Sequence, residues 1–338
     1  MENIKIQQVA KAAGVSVATV SRVLNHKTNV RPDTREKVME VIKQLDYHPN
    51  MLGLNLRQSS SGVVIVMANT ISKPFYVDFM DTMQQAATEN NYNILLGHYG
   101  NDQAKLSSYI RLLQGRLADG LILANHNQDI PYLEEMAAKY PLIQCCEHNP
   151  GTSIPYVSVD DYKCGQMGTE HLLANGRRRI AFLNYALEAN FAKNYQQGFL
   201  DTMKKHKVQV RKEWMSSLPT MEFGAAYQEA LKILSLDDKP DAFFGVIDLY
   251  APAITKAAHT LGLRVPEDLC VISGDNSFLL DTTTPSITAL DHRRRDMATA
   301  AFDLLLERIE NHPIRHNSIL IDPALIVRES TNLKGVNS

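Results

Sequence analysis

The chain has 338 residues, of which 44% are hydrophobic and 7% aromatic, and its formal net charge at pH 7 is −2. This length supports two or three compact units, each with its own core. No apolar run reaches the roughly 18 residues that a membrane span needs, and the first ten residues lack the charged start and apolar stretch of a secretion signal. Sequence and composition therefore argue against a membrane protein and an exported protein, and we expect a soluble protein of the cytoplasm.

Positive charge is concentrated near the N-terminus. Residues 1–58 contain nine Lys and Arg against five Asp and Glu, a net charge of +4, whereas the remainder carries −6. A small basic segment joined to an acidic one indicates a polyanion as the partner of the basic segment alone. A solvated basic face is the alternative that charge by itself leaves open.

Three short helices are predicted before residue 50. The first runs from Ile6 to Ala13, and Gly14 ends it in a tight turn. Ser16 then stands at the N-cap of the second helix, where its side chain can accept a hydrogen bond from a free backbone N–H. The third helix begins near Pro32. Its predicted buried stripe consists of Val38, Val41, Ile42 and Leu45.

The second helix has two different faces. Val20, Val23 and Leu24 share one face, which packs into a small core. The other face is small, polar and ends in an arginine, which suits a helix lying in the major groove of DNA. It consists of Val17, Ala18, Ser21, Arg22 and Asn25. Helical hairpins are common, so this pattern alone is compatible with other roles.

The segments VAKAAGVSVATVSRVLN (9–25) and TREKVMEVIKQLDYHPN (34–50) resemble the N-terminal domain of the lactose/galactose repressor family of bacterial transcription regulators. The resemblance implies that Val17, Ala18 and Arg22 contact bases, with Arg22 pairing bidentately with a guanine. It also implies phosphate contacts, which orient the domain on DNA without reading sequence. The implied phosphate contacts are Ser16, Thr19, Ser21, Asn25, Asn29, Thr34 and Tyr47.

The segment PNMLGLNLRQSSSG (49–62) resembles the family's hinge helix, which forms on operator DNA and enters the minor groove. The resemblance assigns Asn50, Gly53 and Leu56 to the minor groove, with Leu56 as the apolar wedge between base pairs. Gly53 replaces the usual alanine, which costs a helix about 1 kcal/mol. The expected domains are a helix-turn-helix domain (1–48), a hinge and linker (49–61), and an effector-binding and dimerisation domain (62–338).

From residue 62 onward, short apolar runs alternate with amphipathic helices. This rhythm predicts an α/β fold, with parallel sheets flanked by helices on both faces, and the length fits two such sheets. The runs are GVVIVMAN, YNILLGHYG, ADGLILAN, PLIQCCE, YVSVDD, RRIAFLN, DAFFGVID and LCVISGDN. Ligands bind beyond the carboxyl ends of such strands. Polar residues cluster there: Asn69, His98, Asn101, Asp102, Asn125, Glu147, Asp160, Asp161, Asp248, Asp275 and Asn276.

This region also resembles the family, as two lobes similar to periplasmic sugar-binding proteins with a cleft between them. The segments KPFYVDFM (73–80) and VSVDDYKCGQMGTEHLLANGRRRIAFL (157–183) carry the resemblance. It implies that carboxylates accept hydrogen bonds from ligand hydroxyls while an aromatic ring covers the apolar face of a sugar. The candidate effector-binding residues are Phe75, Asn125, Asp160, Tyr195, Asp248 and Asp275. Asp248 could instead cap a helix that begins at Leu249.

The predicted lining departs from the family pattern. Lys73 replaces an asparagine, and Tyr195 stands where sugar-responsive members carry an arginine that holds ring hydroxyls. Ile247 replaces an asparagine, Tyr250 a methionine, and Pro219 an aromatic residue. These departures leave a sugar, a nucleoside and a phosphorylated protein partner open as effectors.

Enzymatic function is not expected. Asp160 with Asp161, or Asp248 with Asp275, could serve as general acid and base. The sequence has no Gly-rich phosphate loop, nucleophile motif or His/Glu metal cluster, and its four cysteines (Cys145, Cys146, Cys164 and Cys270) lack metal-ligand spacing. We therefore expect no catalytic residue, metal or cofactor, and buried free thiols.

The sequence is interpreted as a ligand-responsive, sequence-specific DNA-binding regulator, most simply a repressor of a sugar-utilisation operon. Its expected partners are a pseudo-palindromic operator, a small-molecule effector that the resemblance implies to be a carbohydrate, and a second copy of the chain. Two-fold operators match two-fold proteins. The C-terminal segment ESTNLKGVNS carries no leucine heptads, so the expected assembly is a homodimer without a tetramer-forming helix.

Overall fold

The computed structural model describes residues 4–24, 29–47, 60–68, 70–71, 73–100, 102–124, 129–312 and 318–332. The chain divides into two compact units, residues 1–61 and residues 62–338. No helix within the described ranges is both long and apolar enough to cross a membrane.

The first unit contains three helices, α1 (Ile6–Ala13), α2 (Val17–Leu24) and α3 (Pro32–Gln44). Gly14 ends α1 with a φ of 65°, a left-handed conformation that glycine adopts without strain. The Ser16 hydroxyl oxygen accepts a hydrogen bond from the backbone N–H of Thr19 at 3.1 Å, so the predicted N-cap of α2 is confirmed. The helix boundaries of the sequence prediction also agree with the structure.

The core of this unit is small and almost entirely aliphatic. Val9, Val20, Val23 and Val38 are at most 1% exposed. Tyr47 belongs to the same core and is 8% exposed, because its backbone N–H bonds to the carbonyl of Ile42 and turns the chain back over the helices. The Tyr47 ring therefore packs inward, and its predicted phosphate contact stays a prediction.

The second unit contains two lobes, each built on a six-stranded sheet. The strands of lobe 1 are β1 (Val63–Ala68), β2 (Asn93–His98), β3 (Gly120–Leu123), β4 (Leu142–Cys145), β5 (Tyr156–Val159) and β11 (Ser318–Ile321). Those of lobe 2 are β6 (Ile180–Tyr185), β7 (Met215–Leu218), β8 (Ala242–Gly245), β9 (Cys270–Ser273), β10 (Thr288–Asp291) and β12 (Ala324–Ile326).

Eight helices accompany these strands in the described part of the second unit. They are α4 (Pro74–Glu89), α5 (Gln103–Gln114), α6 (Ile130–Lys139), α7 (Asp161–Ala174), α8 (Asn190–Lys205), α9 (Phe223–Leu234), α10 (Tyr250–Thr260) and α11 (Arg294–Ile309).

The two sheets repeat one topology. Their strand orders are β2-β1-β3-β4-β5-β11 and β7-β6-β8-β9-β10-β12. Every described pairing is parallel except that between β10 and β12, which is antiparallel. The predicted α/β class with parallel sheets is thus confirmed.

The chain passes between the lobes three times. It crosses from β5 to α7, returns from β10 to α11, and crosses again between β11 and β12. Helix α11 therefore packs on lobe 1, where Met297, Phe302 and Leu305 are fully buried in the core with β1, β3 and β4.

Helices α7 and α8 of lobe 2 meet through two glycines. A Cβ on Gly165 would strike the carbonyl oxygen of Tyr195, and a Cβ on Gly198 would strike the carbonyl oxygen of Tyr162. The glycines let the two backbones approach closely, which fixes the position of Tyr195 relative to α7.

We expect Gly198→Ala to destabilise the second unit by about 1–3 kcal/mol, because the added methyl group has only rigid backbone in front of it. Thermal unfolding of the full chain measures this loss. Gly224→Ala in the first turn of α9 is the matched control: its Cβ meets nothing within 4 Å, so alanine should leave the melting temperature unchanged or slightly higher. Equal melting temperatures for the two variants would contradict the tight crossing.

Candidate functional site

The outer face of α2 is the candidate DNA-reading surface. Ala18 and Arg22, one turn apart, are exposed, whereas Val20 and Val23 on the opposite face are buried. Val17 is half-buried and packs against the core. A small residue beside an arginine allows close approach to a base edge, and the guanidinium can then donate two hydrogen bonds to a guanine.

The predicted phosphate contacts lie at several positions of the first unit. Ser16 and Thr19 form the cap of α2, with their hydroxyl oxygens 2.9 Å apart. Asn29 is exposed before α3, and Thr34 is half-buried in its first turn, as is Ser21 in α2. Five predicted site residues lie outside the described residues: Asn25, Asn50, Gly53, Leu56 and Asn125.

A cleft between the two lobes of the second unit encloses about 680 Å³, counting its open side. Its walls come from segments that follow the carboxyl ends of β1, β4, β5, β8, β9 and β10, which is where parallel sheets place their ligands. The polar or titratable lining residues are Lys73, Tyr76, Cys146, Glu147, Asp161, Tyr195, Asp248, Asp275 and His292. The apolar ones are Phe75, Val159, Phe191, Met221, Val246, Ile247 and Met297.

Four of the predicted effector residues line this cleft: Phe75, Tyr195, Asp248 and Asp275. Asp160 does not. Its carboxylate accepts a hydrogen bond from the backbone N–H of Lys163 at 2.9 Å and caps α7. Its neighbour Asp161 lines the cleft instead and is 7% exposed. Burial, together with the charges of Glu147 and Asp275, raises the pKa of Asp161 well above its usual range.

Asp248 is 1% exposed and its Oδ2 has no hydrogen-bond partner among the described residues. The following helix, α10, has Leu249 at its N-cap position, and no side chain caps it. A hydrogen bond from the Leu249 backbone N–H nevertheless lowers the pKa of Asp248, so capping stays an alternative role of this carboxyl. Burial, with the nearby charge of Asp275, raises the pKa of Asp248 to about 6.

Asp275, His292 and Tyr195 form a hydrogen-bonded chain. The Tyr195 hydroxyl donates to the carbonyl of Gly274 at 2.7 Å, and His292 Nε2 lies 2.9 Å from that hydroxyl and 3.0 Å from the same carbonyl. We assign the ring proton to Nε2, because the Gly274 carbonyl oxygen beside it can only accept a hydrogen bond. Nδ1 then faces Asp275 Oδ1 at 3.1 Å.

One proton is therefore shared between Asp275 and His292. Burial raises the pKa of Asp275 to about 7 and lowers the pKa of His292 to about 4, so the carboxyl group holds the shared proton at or below neutral pH. The sequence analysis did not identify His292, although it directly follows β10, a strand that the apolar runs did not include.

Polar contacts join the lobes at the cleft, among them a hydrogen bond that Lys73 Nζ donates to the Met221 carbonyl at 3.4 Å. Lys73 Nζ, from the start of α4, lies 2.6 Å from Glu222 Oε1 at the start of α9. Glu147 Oε1 accepts a hydrogen bond from the backbone N–H of Phe191 at 3.3 Å. The sequence identified Lys73 as a departure from the family pattern. It gave no signal for Phe191, which lies in a helix, or for Met221, which lies in a loop, because the tertiary fold alone brings them to the cleft.

Known proteins match both units. Residues 5–50 match the model for bacterial regulatory proteins of the lacI family, and residues 169–331 match a periplasmic-binding-protein-like domain. The NTD biosynthesis operon regulator of Bacillus subtilis is 28% identical over 96% of this chain and 99% of its own length. The ribose operon repressor of Halalkalibacterium halodurans is 29% identical over 96% of each chain.

The fold agrees with a solved structure. The lac repressor dimer bound to operator and the anti-inducer ONPF superposes with a TM-score of 0.86 at 22% identity, covering 98% of this chain and 99% of that one. At this level of identity the similarity concerns the fold.

We expect Asp248→Asn to stabilise the ligand-free protein. Asp248 has a pKa near 6 in the folded state and about 3.8 as a model compound, so its ionisation opposes folding increasingly from about pH 4 to pH 6 and constantly above pH 7. The variant should gain little at pH 4.5 and at most about 3 kcal/mol at pH 8, measured by thermal or urea unfolding. Asp160→Asn is the control, because asparagine caps a helix as well as aspartate does. A gain that does not grow with pH would contradict the assignment.

The three-helix unit with an exposed reading face, the two-lobed unit with its cleft, and the matches to both units agree with one another. The chain joins a lacI-type DNA-binding unit to a periplasmic-binding-protein-like unit, and its relatives over the whole length are regulators of the lactose/galactose repressor family.

Proposed function

We propose that this protein is a ligand-responsive repressor that binds a specific operator through its first unit and a small effector in the cleft of its second. The observation that carries the proposal is the division of α2 into a buried valine face and an exposed face with Ala18 and Arg22. The name of a relative over the whole chain, the ribose operon repressor, supports the repressor role.

Base reading belongs to Val17, Ala18 and Arg22 in this proposal, and Ser16, Thr19, Ser21, Asn25, Asn29 and Thr34 hold the phosphates. One such unit reads only a few base pairs. Selectivity among the sites of a genome requires two units on two half-sites, so the proposed active form is a homodimer on a pseudo-palindromic operator. Asn50, Gly53 and Leu56 are proposed for the minor groove between the half-sites.

The cleft is the proposed effector site. It offers an aromatic wall at Phe75 and carboxylates at Asp161, Asp248 and Asp275. Carboxylates accept hydrogen bonds from vicinal hydroxyls while an aromatic ring covers the apolar face of a sugar, so a carbohydrate suits this lining. A nucleoside is the second candidate, favoured by Phe75 and Phe191, since a flat base can stack on either ring.

Regulation in this proposal works by population shift. An effector that contacts both lobes can shift the balance between two lobe arrangements. The size of the shift is set by the difference between its affinities for the two arrangements. The Lys73–Glu222 ion pair and the Glu147–Phe191 hydrogen bond join the lobes at the cleft and are the contacts that such a change would break or strengthen. Effector and operator affinities are then reciprocally coupled.

We expect Arg22→Ala to abolish sequence preference while leaving weak, salt-sensitive DNA binding. The operator is first obtained by selecting bound duplexes from a random DNA library, and affinity is then measured by fluorescence anisotropy against operator and scrambled duplexes. The loss of one bidentate arginine–guanine contact should weaken operator binding about 10- to 100-fold, and scrambled DNA much less.

Lys43→Ala is the matched control, because Lys43 is an exposed cation at the end of α3 rather than on the reading face. Its removal should change affinity for operator and scrambled DNA by similar factors. The reading-face assignment fails if Arg22→Ala still selects the same sequence.

A further inference from the structure

The cleft of the second unit is strongly acidic. Four carboxyl side chains line it: Glu147, Asp161, Asp248 and Asp275. The one cationic side chain among its described lining residues is Lys73, and its ammonium group already lies 2.6 Å from Glu222. Arg294 lies outside the lining, with its guanidinium 5.7 Å from the centre of the Phe75 ring and 3.2 Å from Asp78. The charge of Arg294 lowers the pKa of Asp248 and of Asp275, but Lys73 is the one cation among the described lining residues, against four carboxyl groups.

The second observation is the state of Asp248. It lines the cavity, is 99% buried, and no hydrogen bond of ordinary geometry reaches its Oδ2 among the described residues, although the Ser277 hydroxyl and the Leu249 N–H lie near enough to lower the pKa of this carboxyl. A buried carboxylate oxygen without a donor is costly, because it has left water and gained nothing in exchange. A ligand that donates a hydrogen bond to this oxygen would remove that cost.

Donors on the described cavity wall are few and already engaged. The Tyr195 hydroxyl donates to the Gly274 carbonyl at 2.7 Å. Both ring nitrogens of His292 face oxygens, at Gly274 and Tyr195 on one side and at Asp275 on the other. A neutral sugar needs donors for its own oxygen lone pairs as well as acceptors for its hydroxyls. When its carboxyl groups are ionised, this lining supplies mainly acceptors, which matches a ligand group that has donors only, such as an ammonium.

A metal ion does not fit the same arrangement. Among the described residues, no three His, Cys, Asp or Glu side chains are gathered closely enough to hold a metal ion. The carboxyl groups are instead distributed around a cleft of about 680 Å³ that also has aromatic and aliphatic walls at Phe75, Phe191 and Met221. Such a cavity suits an organic cation with an apolar face.

We propose that the effector is a polyhydroxylated organic amine, such as an amino sugar, whose protonated amine lies between Asp248 and the neighbouring carboxyl groups of the cleft. This inference rests on the proposed function, because it gives the chemical class of ligand for the same cleft. Tyr195, which replaces the arginine expected from the family pattern, removes a positive charge that would repel an amine.

Proton linkage supports this proposal. Burial raises the pKa of Asp248 to about 6 and that of Asp275 to about 7, so both groups are partly protonated near neutral pH. A bound ammonium stabilises the ionised carboxylates and expels those protons, so its affinity should rise between pH 5.5 and pH 7.5. A neutral ligand lacks this charge coupling.

The other titratable groups facing these two carboxyl groups do not reverse that trend. Burial lowers the pKa of His292 to about 4, which leaves it neutral throughout this range. Burial raises the pKa values of Cys146 and Tyr195 well above their usual range, which keeps both of them neutral. Burial also raises the pKa of Asp161, so a bound ammonium favours its ionisation as it favours that of Asp248 and Asp275. The remaining charged groups around the site are Glu147, Lys73 and Arg294.

The experiment uses the full chain and matched probes that differ in one group: glucosamine, glucose and N-acetylglucosamine, and the corresponding galactose and mannose sets. Binding is measured by thermal shift at up to 50 mM and by calorimetry at pH 5.5, 6.5 and 7.5. We expect at least one amine to bind ten times more tightly than its neutral and acetylated counterparts, with a Kd that falls at least threefold from pH 5.5 to pH 7.5.

Asp248→Asn should reduce the preference for the amine to less than threefold, and Asp161→Asn provides a second variant should the first not fold. Asp160→Asn, which removes the same charge from a residue outside the cleft lining, should retain the preference. The proposal is overturned if the neutral sugars bind as tightly as the amines, if the preference survives both cleft variants, or if no amine shifts the melting temperature at 50 mM.

The amine proposal and the proposed function fail in different ways. If a neutral sugar or a nucleoside raises the melting temperature and changes operator affinity, the cleft is an effector site and only the amine is wrong. If Arg22→Ala leaves operator preference intact, the DNA-binding assignment fails, whichever probe occupies the cleft.

Discussion

The burial of carboxyl groups between the two lobes is the constraint on which the functional half of this molecule depends. Asp161, Asp248 and Asp275 lose their water in the same cavity, and each has a raised pKa as a result. Packing alone would favour apolar residues at these positions. In the proposed function, a ligand bound in the cleft relieves this unfavourable desolvation, so the stability of the second unit would depend on occupancy of the cleft.

Repetition of one sheet topology explains why these groups meet. Both sheets are parallel at their centres, so the segments after each strand emerge at one edge, and the two lobes turn those edges toward the shared cleft. The tight crossing of α7 and α8 through Gly165 and Gly198 then holds Asp161 and Tyr195 in a fixed relation on the lobe 2 side. Lobe 1 contributes Phe75 and Glu147, so a ligand in the cleft would contact both lobes.

Local sequence signals predicted the first unit and the fold class well. Gly14 and Ser16 define the turn and cap by their own backbone and side-chain chemistry, which requires no distant partner. The eight apolar runs correspond to strands, but β7, β10, β11 and β12 were absent from that set. They are three or four residues long, and β7 has the half-polar sequence MSSL, so tertiary pairing rather than local composition makes them strands.

The site was harder to predict because it depends on which of two adjacent residues turns inward. Asp160 and Asp161 are indistinguishable in sequence, yet the start of α7 directs the first to a helix cap and the second into the cleft. The inward packing of the Tyr47 ring has a similar origin, because the turn after α3, rather than residue type, determines it. His292 shares a proton with Asp275 across seventeen positions of sequence, a relation that only the folded chain displays.

The three passages of the chain between lobes affect how this protein is made. Lobe 1 begins at residue 63 but lacks its core helix α11 and its edge strand β11 until residue 321 has been synthesised. Lobe 2 is interrupted by that same return and acquires β12 only at residues 324–326. Neither sheet can therefore be complete before its last strand, β11 or β12, has been synthesised. The three helices of the first unit, by contrast, all lie before residue 50. A nascent chain that has not yet reached residue 326 would therefore expose the apolar faces of two unfinished sheets together.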